Sequence, residues 1–324
     1  MTFILVRKLL RDVRPALIAV SVVLFIFAAF WVKITQRVTT EISPMFEVIS
    51  KVSFGDPKRI EKLLLAGPSK VSQAALGWGD LNFSRPTEFL AIGLLHPVLL
   101  VLCVVWCVGR AAGAVAGELD RGTMELLMSQ PVPRHRLLLA HLIVDAIVLP
   151  VLCLAFFAGT QAGLEAVGPF VRDYTMLKEL PGAEKIIDDP TPLEVRATGE
   201  LLGLVNTLGL MFAISGMTLA LSAWGRSRWK VIGYAVLVLV VMFVANTIGQ
   251  LWAPAGWVRP LTLFYYYQPQ RLMIDGTWCV DLGKTWPLGG SLPVPAAGVL
   301  FAVGAAGHAL ALRVFTRRDL PAPL

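Results

Sequence analysis

Five polar side chains stand inside long apolar runs: His96, His141, Asp145, Asn206 and Asn246. A carboxylate is expensive to keep charged in apolar surroundings. Asp145 therefore marks either a partnered structural contact or a path for protons or ions. His141 precedes it by four residues, which on a helix puts the two on one face, close enough to satisfy each other. His96 stands directly before Pro97. A structural contact and a substrate or ion pathway both stay open for these five groups on sequence alone.

Other chemistry is missing. Gly283-Lys284-Thr285 looks like the end of a phosphate-binding loop, but the glycine such a loop needs five residues earlier is Trp278. No HExxH or GxSxG occurs, which speaks against hydrolases. Cys103, Cys107, Cys153 and Cys279 form no CxxC, so neither a metal site nor a disulfide framework is indicated. The expectation is a chain that is not an enzyme, with no catalytic, metal or cofactor-binding residues of its own.

The elements that position the polar groups are six apolar runs: 15–32, 89–109, 137–158, 201–224, 231–252 and 292–312. Each is about the 20 residues that a helix needs to cross ~30 Å of hydrocarbon. Hydrophobic residues make up 56% of the chain and charged ones 16%, and the mean hydropathy is +0.68, outside the range of soluble domains. Backbone groups in lipid must pair internally, so the fold class is an all-α polytopic membrane protein in one transmembrane domain, 1–324.

The net charge of +7 does not point to nucleic acid, because of where the charges fall. Fourteen of the 29 basic residues crowd four short segments: before the first run, between the second and third, between the fourth and fifth, and after the sixth. Basic charge in short flanks sets orientation, so both termini are expected in the cytoplasm. The first apolar run is longer than a signal peptide's and lacks a small-x-small cleavage site. Residues 1–14 mix Phe3, Ile4, Leu5, Leu9 and Leu10 with basic residues, the pattern of a helix lying in the membrane interface. The outer segments are then 33–88, 159–200 and 253–291. The first reads as short helices on the membrane face, and the second holds the turn cluster Asp188-Asp189-Pro190-Thr191-Pro192. In the third, the aromatic stretch 254–273 can re-enter the membrane where protein covers it.

Residues 114–134, between the second and third spans, are the most distinctive stretch. Glu118, Asp120, Arg121 and Glu125 are polar, while Leu119, Leu126 and Leu127 recur at near-helical spacing and can lie on a membrane or a partner. Pro131 and Pro133 end the helix and set the entry into the third span.

Here the chain resembles the type-2 ABC transporter permeases, the membrane halves of ATP-driven exporters. The shared pattern is Glu118, Gly122-Thr123, Leu126-Leu127, Pro131 and Arg134 between spans two and three. A second similarity is Leu219-Ala220-Leu221-Ser222-Ala223-Trp224-Gly225-Arg226-Ser227-Arg228. The long first outer loop departs from the family. The resemblance implies that residues 118–129, Glu125 included, form a coupling helix docking on a cytoplasmic ABC ATPase, which would carry the ATP and Mg. It also implies a second permease subunit, as a homo- or heterodimer with the path between the two, and a place in the cell membrane. Two other readings stand beside it: a proton-coupled secondary transporter using Asp145 and His96, and a membrane assembly factor that transports nothing. Close helix packing is expected at Gly109, Gly113 and Gly117, and at Gly298, Gly304 and Gly307.

Overall fold

The computed structural model of the protein describes residues 2–54, 85–130, 133–175, 192–195, 197–286 and 290–318. Six helices among them are long and apolar enough to cross a membrane, as the periodicity of the sequence requires. In chain order the helices are α1 (Thr2–Arg37), α2 (Ser43–Phe54), α3 (Pro86–Ile92), α4 (Pro97–Ala114), α5 (Ala116–Asp120), α6 (Met124–Met128) and α7 (Arg134–Val167). There follow α8 (Glu200–Trp224), α9 (Arg228–Leu251), α10 (Leu263–Tyr266), α11 (Pro269–Asp275) and α12 (Ala296–Arg317). Strand is confined to two short antiparallel pairs, Phe170–Val171 with Pro192–Leu193 and Cys279–Asp281 with Pro293–Pro295.

Glycines fix how the long helices run. A Cβ on Gly159 would fall 2.3 Å from the Phe25 carbonyl oxygen, and one on Gly163 would fall 2.9 Å from Ala29. The bare backbone lets α7 lie directly on α1, and the rising numbers on both sides show that the two run the same way. Gly209 meets Leu300 and Gly216 meets Gly304 in the same manner, so α8 and α12 also run the same way. Asp145 on α7 bonds Ser215 on α8 while Thr160 bonds Glu200, so these two helices run oppositely. This is the alternation that six successive crossings demand, and it puts both chain ends at one end of the bundle.

Three details differ from the sequence expectation. Residues 2–14 are not a separate helix; they form the first turns of α1, which continues through Pro15. Val6 is buried, and Leu5, Leu9, Leu10 and Val13 pack on the protein core, so this apolar stripe has a protein partner and not only a lipid one. Span two is broken: α3 and a 3₁₀ turn, Gly93–Leu95, end at His96, and α4 restarts at Pro97. The residue before a proline avoids helical ψ, and His96 is extended at ψ 135°. Span six begins at Ala296, because Pro293–Pro295 pairs as a strand.

The aromatic stretch after span five is a 3₁₀ segment, Ala253–Leu261, followed by α10 and α11, with Tyr265, Tyr266, Tyr267, Leu272 and Met273 buried. Asn206 holds it to α8: its amide donates to the Tyr266 carbonyl at 3.0 Å and its oxygen accepts from Gln268 N at 2.8 Å. Tyr267 donates to the Leu94 carbonyl, at the break in span two. The segment thus caps the end of the bundle away from the termini. The turn cluster 188–191 lies outside the described residues.

Candidate functional site

The segment linking α4 to α7 is built around a helix break at Val115 (φ −121°, ψ −60°). A break orphans backbone groups, and the Ser222 hydroxyl on α8 repairs this one. It accepts from Val115 N at 3.3 Å and Ala116 N at 3.0 Å, and it donates to the Ala112 carbonyl at 3.0 Å. The chain then turns through α5 into a left-handed Gly122 (φ 69°). Gly122 N bonds the Leu119 carbonyl at 3.1 Å and Thr123 N bonds the Glu118 carbonyl at 3.0 Å, the pair that defines a Schellman C-cap. Nothing lies within 4 Å of a Cβ on Gly122, so this glycine is required by its backbone angle and not by crowding.

Glu118 is the brace of the turn. Its carboxylate accepts from the Thr123 hydroxyl and from Arg121. Beyond it Met124 is fully buried among Ala111, Leu137, Leu138, Leu219 and Phe315, which ties α6 to the ends of α4, α7, α8 and α12. Glu125 and Leu126 face outward; Leu126 is 70% exposed, and Leu127 is half-buried. Leu119, grouped by its spacing with the outward leucines, packs on the core instead. Arg134 donates to the Phe315 and Arg318 carbonyls, and Arg318 donates to Ala223, Trp224 and Gly225 carbonyls at 2.9, 2.8 and 3.0 Å. A cation on the free carbonyls at the end of α8 is favoured by the helix dipole. Pro131 lies outside the described residues.

The glycine stripe at 109, 113 and 117 has a specific occupant. Arg228 lies along it, 3.9 Å from a Cβ on Gly113 and 3.5 Å from one on Gly117, and donates to the Gly109 carbonyl at 3.3 Å. The charged ends of the short loop between α8 and α9 therefore fold back onto the bundle.

Deeper in, four helices meet at Asp145. Arg110 from α4 forms the ion pair, with the Asp145 side chain 4% and the Arg110 side chain 11% exposed. Ser215 from α8 donates to the other oxygen at 2.6 Å, and His308 Nε2 from α12 stands 3.8 Å from it. Arg110 also donates to the His141 carbonyl at 2.8 Å. The side-chain contact expected between His141 and Asp145 is thus replaced by Arg110, and His141 Nδ1 is buried with no hydrogen-bond partner among the described residues. His96 caps α4, its ring accepting from Val98 N at 3.2 Å, beside the rings of Phe27 and Trp31. Asn246 accepts from Arg259 Nε at 3.3 Å. The five polar groups are therefore spread over the bundle: His141 and Asp145 share one cluster, Asn206 holds the aromatic segment, His96 caps α4 beside Phe27 and Trp31, and Asn246, near the end of α9, meets Arg259. Sequence reasoning missed Arg110, Ser215, Ser222, Met124 and His308. Only His308, a lone imidazole in an apolar span, carried a signal of its own.

Among the described residues, six apolar helices, a buried ion pair and a braced turn at the terminal end make a polytopic membrane protein. A family model described as ABC-2 family transporter protein matches residues 7–320, and the chain belongs to that family. No curated protein and no solved structure matches it. It is thus an ABC transporter permease, the membrane component of such a system.

Proposed function

We propose that the chain is the membrane subunit of an ATP-driven exporter and that residues 118–129 dock on a separate cytoplasmic ATPase, which holds the ATP and Mg. Two permease subunits then enclose the path, and both termini face the cytoplasm of the cell. The observation that carries this reading is the braced turn. Glu118, Thr123 and Gly122 hold its shape from within, Met124 roots it among four helix ends, and Glu125 and Leu126 are left outward. A rigid projection with an exposed apolar tip suits transmission of a partner's movement to spans two and three.

The site residues divide accordingly. Leu126 and Glu125 supply the contact, Leu127 its flank, and Arg134 the fixed entry into α7. Glu118 acts on the shape of the segment, since its carboxylate is already engaged inside the turn. Asp145 is also engaged, by Arg110, Ser215 and His308, which favours a structural role over a proton path.

The test is co-purification with the cognate ATPase and reconstitution in liposomes. Leu126→Asp, a change on an exposed side chain, should abolish co-purification and transport while the melting temperature stays unchanged. Gly122→Trp should also abolish both, at a lowered melting temperature, because it strains the left-handed turn. The purified chain alone should hydrolyse no ATP. Substrate transport by the chain alone on a proton gradient would overturn the proposal.

A further inference from the structure

A second carboxyl is buried in the bundle, and its surroundings are of the opposite kind to those of Asp145. Glu200, the first residue of α8, is 2% exposed. Asp145 has a guanidinium, a hydroxyl and an imidazole around it. Glu200 has one hydroxyl: Thr160 on α7 donates to Oε1 at 2.7 Å, while Oε2 is buried with no hydrogen-bond partner. The ion pairs among the described residues all lie elsewhere.

The charged groups on the elements packed around this point do not compensate it. Glu165 on α7, Glu194 ahead of α8, and Arg271 and Asp275 on α11 are exposed. Arg85 and Glu88 on α3 pair with each other at 2.9 Å. A carboxylate shut away from water, with one donor and no cation, is far costlier than the neutral acid. Such a group takes up a proton instead.

The backbone keeps Glu200 in this place. A Cβ on Gly199, directly before it, would fall 2.2 Å from the Met273 carbonyl oxygen. One on Gly203, a turn later, would fall 2.5 Å from Leu94 Cδ1 and 2.9 Å from the Pro269 carbonyl oxygen. Helix α8 therefore starts flush on α11, and the carboxyl meets water only when α8 parts from α7 or α11.

We propose that Glu200 is a proton-binding site, a neutral acid at neutral pH while α8 lies closed on α7 and α11, which gives up its proton when that junction opens. The closed form then holds one more proton than the open one, so acid favours closure and alkali favours opening. The proposal needs no ATPase, and its readouts are spectroscopic.

The experiment takes infrared difference spectra of the full chain in liposomes, wild type against Glu200→Gln, which keeps the volume and cannot ionise. At neutral pH the wild type should show the C=O stretch of a neutral carboxyl, shifted down in heavy water and lost in the variant. Thr160→Val removes the one hydrogen bond and should move that band to higher frequency without abolishing it, which tests the site independently of how well Glu200→Gln folds. Amide exchange then reads the junction. At one alkaline pH, residues 199–204 and 269–275 should open faster in wild type than in Glu200→Gln, by up to about tenfold per pH unit, the effect of one proton. At acid pH the two should match. Absence of a neutral-carboxyl band at neutral pH overturns the protonated site, and equal exchange of the two proteins at alkaline pH overturns its link to opening.

Discussion

Removing the Asp145 carboxylate tests whether the buried ion pair holds the bundle together. In Asp145→Leu the Arg110 charge stays at a position where its side chain is 11% exposed, with the His141 carbonyl at 2.8 Å as a remaining acceptor. Breaking a buried pair from one side typically costs about 3–5 kcal/mol. An unpaired arginine at the centre of a membrane helix costs about 2.5–3.5 kcal/mol on insertion scales. The retained carbonyl favours the lower figures, so the single variant should lose about 3 kcal/mol. Arg110→Met should lose a similar amount, because Asp145 keeps only the Ser215 hydroxyl and His308. The double variant, Arg110→Met with Asp145→Leu, buries no charge. It leaves Ser215 short of an acceptor, a loss of about 1 kcal/mol.

The double variant should therefore be more stable than either single one, with a coupling of about 5 kcal/mol between the two positions. Reversible unfolding in mixed micelles, followed by tryptophan fluorescence, measures all four corners of the cycle. Equal losses that simply add, about 6 kcal/mol for the double variant, would refute the pairing. Transport per folded molecule should be near normal in the double variant. Its loss there, at retained stability, would move Asp145 to the transport path.

Ser222→Ala leaves the Val115 and Ala116 amides unpaired and should cost about 1–3 kcal/mol by the same unfolding assay, where a neutral outcome would show that the break at Val115 needs no repair. Gly122→Ala forces a side chain into a left-handed conformation and should cost about 1–2 kcal/mol, with Gly122→Asn milder; faster amide exchange over 116–130 is the readout. Gly159→Ala would push α7 off the Phe25 backbone at a cost of about 1–3 kcal/mol, seen as a lower melting temperature. For topology, a reporter fused after Leu324 should read cytoplasmic and Ser291→Cys should be labelled from outside intact cells; labelling only after permeabilisation would reverse the orientation.

The spans were legible in the sequence because length and hydropathy are properties of the chain alone. The contacts that matter were not, and the reasons are specific. Arg110 ends an apolar run and so looks like a flank charge that sets orientation, yet its side chain turns inward to a carboxylate 35 residues away on the next span. Nothing local to Asp145 distinguishes that partner from His141, which has the better spacing. The break at Val115 is invisible for a related reason, since the hydroxyl that makes it tolerable comes from Ser222, 107 residues further on. Span two shows the opposite case. The His96-Pro97 pair carried the signal of an extended residue, and the unbroken hydropathy around it concealed the signal. Gly122 enters the sequence reading only as part of the family pattern; its constraint, a positive φ, becomes visible only with the backbone.

The placement of the charge cluster relative to the braced turn decides how a displacement of that turn can spread. Arg110 lies five residues before the break at Val115, so α4 carries both the root of the turn and one half of the ion pair. Met124 adds contacts to the ends of α7, α8 and α12, and Arg134 and Arg318 tie the last of these to α7 and α8. A push on the turn therefore reaches α4, α7, α8 and α12 together, through the same four helices that meet at Asp145. Helix α9 is joined differently. Its links at this end are Val231, buried against Ala112 and Ala116, and Arg228, which lies along Gly113 and Gly117 and bonds the Gly109 carbonyl at 3.3 Å. A push on the turn therefore enters through the helices that share the ion pair, and α9 receives it at this end through Val231 and Arg228, both seated on α4 and α5.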